Sequence, residues 1–132
     1  MSSPLLMRTL EANAVFSAVS GIALIAIALA GTDGFGVPPW MLDIVGAGLV
    51  PFAWIVHRTA RNPEPMLVRL IVGADVAWVA AAAVILLGFP GTLSPTGSIA
   101  LAVASLVVAD LAVMQYVGMR SGSPDTRRAT PA

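Results

Sequence analysis

The chain has 132 residues, of which 58% are hydrophobic and 11% are charged, and its seven basic and seven acidic residues give a net charge of zero. Soluble domains carry about 25% charged residues, so this composition excludes an ordinary soluble domain and predicts an all-α membrane protein. With no cysteine and one histidine, the sequence excludes disulfides, thiolate sites and multi-histidine metal sites, and its neutral charge argues against nucleic-acid binding. We therefore expect no cofactor, no metal ion and no nucleic-acid partner.

Four apolar segments follow one another along the chain. They predict transmembrane helices at about 12–30, 39–56, 70–89 and 99–119, within one membrane domain over residues 1–120. Each segment has about the 20 residues that cross the hydrocarbon of a bilayer, and turns rich in glycine and proline separate them. Residues 121–132 are nearly devoid of apolar side chains and predict a disordered cytoplasmic tail.

Arginine is the only basic residue type, and its placement predicts the topology. The arginines lie in the N-terminal segment, in the mid-chain connection with the helix end that follows it, or in the C-terminal segment: Arg8, Arg58, Arg61, Arg69, Arg120, Arg127 and Arg128. The other two connections have none. Because basic residues are retained on the cytoplasmic side, we expect an antiparallel four-helix bundle with both termini in the cytoplasm.

A competing interpretation concerns the first apolar segment. Ala28-Leu29-Ala30 before Gly31 resembles a signal-peptidase site, and cleavage there would leave three spans. The segment is longer than the 7–15 residues of a usual signal core, and Glu11 interrupts a positive N-terminal region. Retention of the segment as a transmembrane helix is the favoured interpretation.

Polar residues inside the spans are the candidate functional residues. Asp75 and Asp110 lie within the third and fourth spans, and Asn13 enters the first from the same side, so the three residues can meet in the inner half of one bundle. Trp78, three residues after Asp75, can donate its indole N–H to a neighbouring helix. Two carboxylates in a low dielectric cannot both ionise cheaply, which is the chemistry a proton-coupled carrier uses. The alternatives are hydrogen bonds that hold the helices together and ion pairs with arginines near the inner interface.

Small and polar residues recur at helical spacing and predict helix-packing faces. They form a stripe on the first span, a small-residue ladder on the third and part of one face of the fourth: Ser17 and Ser20 beside Asn13; Gly73, Ala77 and Ala81; and Ser105. Such residues let helix backbones approach closely, within a chain or across a dimer.

Three segments carry a resemblance to a family. The segments at 12–21 (ANAVFSAVSG), 74–82 (ADVAWVAAA) and 112–120 (AVMQYVGMR) resemble those of an uncharacterised group of small bacterial four-span membrane proteins. The resemblance implies topology and no activity. Size and span count are also similar to small multidrug-resistance transporters, which place an essential glutamate well inside the first helix. Here Glu11 lies at the edge of that span, three residues after Arg8, where an interfacial ion pair is expected.

Two functions follow as hypotheses. The first is a non-enzymatic accessory or helix-interaction subunit in a bacterial inner (plasma) membrane, in contact with lipids and with a second copy or another membrane protein. The arginine-only, alanine-rich composition favours a high-GC bacterium. The second is a proton-coupled transporter of small solutes or drugs that works as a dimer, with Asp75 and Asp110 carrying the proton. An enzyme ranks last, because no serine has a partnered histidine at a recognisable spacing.

Overall fold

The structure is a computed structural model that describes residues 4–31 and 34–121. Four long helices make up almost all of these residues. The helices are α1 (Pro4–Leu29), α2 (Pro39–Arg61), α3 (Pro65–Ala83) and α4 (Pro95–Ser121), and α3 continues into a π-helical turn at Val84–Gly88. All four are long and apolar enough to cross a membrane, counting that turn with α3. The prediction of an all-helical chain with four membrane-spanning helices is confirmed, which indicates a multi-pass membrane protein. The predicted tail, apart from Ser121 at the end of α4, lies outside the described residues.

Proline marks the start of every helix. Pro4, Pro39, Pro65 and Pro95 are the first residues of α1 to α4. Proline suits this position because the first N–H groups of a helix have no intrahelical acceptor, and the ring presets a helical φ. A further proline, Pro51, lies inside α2 without ending it. In a membrane, neighbouring groups can satisfy the carbonyl that such a proline leaves free.

The helices extend beyond the apolar segments on which the prediction was based. α1 begins at Pro4 rather than near residue 12, and α2 continues to Arg61 rather than ending near residue 56. Hydropathy marks only the hydrocarbon-embedded part of a span, whereas backbone hydrogen bonding continues into the polar interface.

Two glycines bring the backbones of α1 and α2 close together. α1 packs most extensively against α2 and also against α4, and α3 packs mainly against α4. A Cβ added at Gly46 of α2 would lie 2.6 Å from the carbonyl oxygen of Gly21 on α1, and one at Gly21 would lie 2.9 Å from the Gly46 carbonyl oxygen. The two backbones are therefore in direct contact, which only a residue without a side chain permits.

The apolar core lies at the end of the helices that carries the described arginines. It consists of buried residues from the start of α1, the end of α2 and the start of α3: Leu6, Leu10, Ala14, Val56, Ala60, Val68 and Ile71. At the other end, the Ser94 backbone N–H donates a hydrogen bond to the Phe35 carbonyl over 3.0 Å, which joins the two glycine-rich connections. Most remaining large apolar side chains are exposed, as expected for helices that face lipid.

Candidate functional site: a buried polar cluster

Three polar side chains from three helices meet inside the bundle. Asn13 of α1, Asp75 of α3 and Gln115 of α4 are 1%, 4% and 0% exposed. Each lies on the buried face of its helix, beside apolar residues such as Leu10 on α1 and Ile71 on α3. We refer to these three residues, together with Ser17, as the polar cluster.

The carboxylate of Asp75 is the centre of the polar cluster. Its Oδ2 accepts hydrogen bonds from Asn13 Nδ2 over 2.7 Å and from Gln115 Nε2 over 3.0 Å. Asn13 Nδ2 also donates to Gln115 Oε1 over 3.4 Å, so the two amides contact each other as well as the carboxylate. One carboxylate oxygen thereby links α1, α3 and α4.

The outer atoms of the polar cluster are also satisfied. Ser17 Oγ, one helical turn beyond Asn13, donates to Asn13 Oδ1 over 3.1 Å, and Gln115 Nε2 donates to the Leu111 carbonyl over 2.9 Å. Partly satisfied buried networks are unstable, whereas fully satisfied ones hold a specific arrangement of helices. The geometry is therefore that of a hydrogen-bonded network between helices, in which Asp75 Oδ2 accepts from both amides.

The partners of Asp75 are neutral amides. Among residues 4–31 and 34–121, no arginine side chain forms a hydrogen bond or ion pair with this carboxylate, and no group of three or more histidine, aspartate and glutamate residues has the arrangement of a metal site. Two amide donors stabilise a carboxylate in a low dielectric without a counter-ion. The same carboxylate could hold a proton, so the polar cluster offers one titratable group inside the bundle.

Asp110 does not join the polar cluster. The structure brings Asn13 and Asp75 together, whereas Asp110 is exposed on the surface of α4. Gln115 occupies the position opposite Asp75, because it shares the buried face of α4 with Val108, Leu111 and Ala112. Asp110 lies five residues before Gln115, and five residues at 3.6 per turn correspond to a rotation of about 140° around the helix.

Gln115 belongs to the polar cluster although it is not among the residues predicted from the sequence. The spacing of Val108, Leu111, Ala112, Gln115 and Gly118 places Gln115 on one apolar face of α4. The face that carries Asp110 is apolar as well, so the spacing alone does not show which of the two is buried. Glutamine on such a face needs a hydrogen-bonding partner from another helix.

Trp78 and Ser105 lie in the bundle with unused polar atoms. Neither Trp78 Nε1 nor Ser105 Oγ is accessible, and neither has a hydrogen-bond partner among the described residues. Trp78, one turn after Asp75, therefore contributes no hydrogen bond to the polar cluster. Ser20, the last member of the stripe on α1, is half-buried and stands apart from the polar cluster.

Glu11 pairs with α2 and not with its own helix. The Glu11 carboxylate lies 2.9 Å from His57 Nδ1, and the two side chains are 43% and 37% exposed. The expected partner, Arg8, is exposed on α1. His57 competes successfully because α1 and α2 pack closely, which brings the imidazole within reach of the carboxylate. The Trp54 ring lies 6.0 Å from the His57 ring and completes this interfacial group.

The small residues of α3 face away from the described part of the bundle. Gly73, Ala77 and Ala81, which we call the α3 ladder, are all exposed, and a Cβ added at Gly73 would meet no atom within 4 Å. The predicted packing face therefore has no described partner helix within the chain.

Comparisons of this chain with protein-family models, with curated proteins and with solved structures found no match. The contacts of its own residues are therefore what bears on its function.

Proposed function

We propose that this protein is a non-enzymatic accessory subunit that associates with another membrane protein through the α3 ladder. The observation that supports this is the exposure of Gly73, Ala77 and Ala81 along one face of a membrane-spanning helix. In lipid, helices associate through close packing and interhelical hydrogen bonds, since the hydrophobic effect does not drive two apolar helices together. Small residues on a lipid-facing surface are where such packing is strongest.

The contact between α1 and α2 supports this use of small residues. Gly21 and Gly46 bring two backbones into direct contact within the chain, at a distance where any side chain would collide. The α3 ladder offers the same residue types with open space at Gly73. A partner helix would therefore find on α3 the kind of surface that α1 and α2 already offer each other.

We further propose that the four helices form an antiparallel bundle in a bacterial inner (plasma) membrane, with both termini in the cytoplasm. Arg8, Arg58 and Arg120 support this orientation, because they lie near the helix ends that surround the apolar core. Contacts between Leu6 and Gly118 and between Glu11 and His57 bring those ends together. Arginine is retained on the cytoplasmic side of a membrane.

Native mass spectrometry of the full-length chain, gently extracted from the membrane in which it is made, tests the accessory role. We expect a foreign subunit at a fixed stoichiometry, and we expect Ala77→Leu or Ala81→Leu to release it. Ala83→Leu is the matched control, because Ala83 is also exposed on α3 but is turned about 120° from Ala77. A chain without a foreign subunit, or a complex that survives both ladder variants, would contradict the proposal.

A proton-coupled carrier is the second candidate, and Asp75 supports it. Asp75 is the buried carboxyl group at the centre of the polar cluster, and intramembrane carboxyl groups are candidate proton carriers. Asp110, exposed on α4, lies outside this arrangement. The open groove beside Glu11 is lined by α1 residues from Glu11 to Val19 and does not reach Asp75.

Proton flux in proteoliposomes tests the carrier role separately. A carrier requires flux that is lost in Asp75→Asn and kept in Asp110→Asn, with both variants inserted normally. Flux equal to that of protein-free liposomes would count against the carrier and leave the accessory role standing.

A further inference from the structure

Asp110 is a carboxyl group on the lipid-facing surface of α4. It lies about 15 Å from Arg120 at 1.5 Å per residue, near the middle of a helix that crosses the membrane. Aspartate is too short to reach the interface from that depth, in contrast to lysine and arginine. Carboxyl groups inside membranes almost always face other protein groups, because exposure to hydrocarbon is costly.

Asp110 has no hydrogen-bonding partner within the described part of the chain. The residues three and four positions away on α4 are apolar, so its own helix offers no side-chain partner: Leu106, Val107, Val113 and Met114. Its side chain is exposed, and no contact with α1 or α3 satisfies it. A partner for this carboxyl group therefore lies outside the described residues, and a second molecule in the membrane can supply one at this depth.

Asp110 lies at the centre of a regular exposed seam. The seam consists of six residues that alternate at spacings of four and three, and its five apolar members are between 49% and 68% exposed: Ile99, Val103, Leu106, Asp110, Val113 and Val117. This spacing is the heptad repeat with which two helices pair along their whole length. We call these six residues the α4 seam.

We propose that the α4 seam binds the α4 seam of a second copy of this chain, with the two Asp110 carboxyl groups hydrogen-bonded to each other. All copies insert in the same orientation, so their α4 helices are parallel and a two-fold axis sets residue 110 against residue 110. The seam is complementary to itself, because apolar residues then face apolar residues and the one polar group faces another at the same depth. In such a pair one carboxyl group donates the hydrogen bond through its O–H and the other accepts it.

The partner of Asp110 needs a polar group at the same depth in the membrane, and a second copy of this chain always has one. An unrelated membrane partner would need a polar group at the level of Asp110, whereas an identical chain carries one there necessarily. The inference goes beyond the accessory role and does not rest on it, since the α4 seam and the α3 ladder are on different helices.

Cysteine crosslinking tests the seam directly, because the chain has no native cysteine. Leu106→Cys and Val113→Cys place single thiols on the α4 seam of the full-length chain, reconstituted at low density in phosphatidylethanolamine–phosphatidylglycerol vesicles and treated with a copper–phenanthroline oxidant. Ile22→Cys and Val15→Cys on α1 are matched controls. They are similarly exposed, and the contact of Asn13 with Gln115 sets them at similar depths in the proposed antiparallel arrangement.

We expect the seam variants to form a disulfide-linked product of twice the chain mass at several times the yield of the α1 controls. Disulfides require Cα atoms within about 7 Å, so only a close pairing of seams gives this product. Yields equal to those of the controls would overturn the proposal. Before reconstitution, the same oxidation is carried out in the original membranes, and crosslinks there to a foreign protein alone would also overturn it.

Variants of Asp110 test the central hydrogen bond in the Leu106→Cys background. Asp110→Asn keeps a donor and an acceptor and should preserve the crosslinked yield. Asp110→Ala removes both and should lower the association constant about threefold, the effect of an average membrane hydrogen bond. If Asp110→Asn and Asp110→Ala had the same association constant, Asp110 would not be part of the interface. Ala77→Leu should leave the crosslinked yield unchanged. The accessory role of the α3 ladder and the pairing of α4 seams can therefore fail independently of each other.

Discussion

Asn13 of α1 donates a 2.7 Å hydrogen bond to the carboxylate of Asp75 on α3, and both side chains are buried. This bond connects two helices whose backbones make few contacts with each other. The helix α1 packs against α2 and α4, whereas α3 packs mainly against α4. The side chains of the polar cluster therefore provide a connection that backbone packing does not.

Removal of the Asn13 amide should destabilise the bundle. We expect Asn13→Ala to lower the free energy of unfolding by about 1–2 kcal/mol, because the variant takes a donor from Asp75 and the acceptor of Ser17. Unfolding in mixed micelles with increasing SDS measures this. Ser20→Ala, at a half-buried residue outside the polar cluster, should change stability by less than about 0.5 kcal/mol. Equal effects of the two variants would contradict the assigned role of Asn13.

Gln115 and Asp110 offer a comparison of one substitution at two positions on α4. Gln115→Leu should destabilise the monomer by about 1–2 kcal/mol, because it breaks the hydrogen bond to Asp75 and leaves a buried carboxylate with one donor fewer. Asp110→Leu should leave monomer stability within about 0.5 kcal/mol, because Asp110 is exposed on the surface of the described bundle. The measurement is SDS unfolding at protein concentrations where the chain is monomeric. A larger loss in Asp110→Leu would mean that Asp110 contacts the bundle.

Gly46 and Gly48 offer a similar comparison on α2. Gly46→Ala should destabilise the contact of α1 with α2 by about 1–3 kcal/mol, because its methyl group would lie 2.6 Å from the Gly21 carbonyl oxygen. A Cβ at Gly48 meets no atom within 4 Å, so Gly48→Ala should be neutral or slightly stabilising. Thermal unfolding in detergent, followed by circular dichroism, distinguishes the two. If both variants unfolded at the same temperature, the close approach of α1 and α2 would be refuted.

The pair of Glu11 and His57 should contribute little. Both side chains are more than a third exposed, and exposed ion pairs contribute about 0–1 kcal/mol. A double-mutant cycle with Glu11→Ala and His57→Ala, measured by SDS unfolding, should give a coupling energy below about 1 kcal/mol. Coupling well above that value would mean that the pair is shielded from water, for example by Trp54.

Hydropathy was sufficient to predict four membrane-spanning helices, because the requirement of about 20 apolar residues is local along the chain. Their ends were less predictable. α1 begins at Pro4 and α2 ends at Arg61, since helical hydrogen bonding does not stop where the hydrocarbon stops. The depth of a residue within its span can also be estimated locally, by counting residues from the end of the span. This count indicated that Asn13 and Asp75 can lie at the same level.

Rotation of each helix about its axis could not be derived in the same way. α4 carries Asp110 and Gln115 at different angles, and both faces are mostly apolar, so the sequence pattern does not say which one faces α1 and α3. The structure turns Gln115 inward and Asp110 outward, because α4 packs against α1 and α3 with the face on which Leu111, Ala112 and Gly118 are buried. The exposure of the α3 ladder has the same origin, because α3 packs mainly against α4 and the ladder lies outside that contact.

The amino-acid sequence by itself thus determined the class of protein and the number of helices, because hydropathy acts along one dimension. Tertiary structure alone decided the surroundings of each side chain: Gln115 beside Asp75, His57 beside Glu11 and an exposed position for Asp110. The physical reason is that packing in a membrane depends on the shapes of facing surfaces, which come from helices distant in sequence.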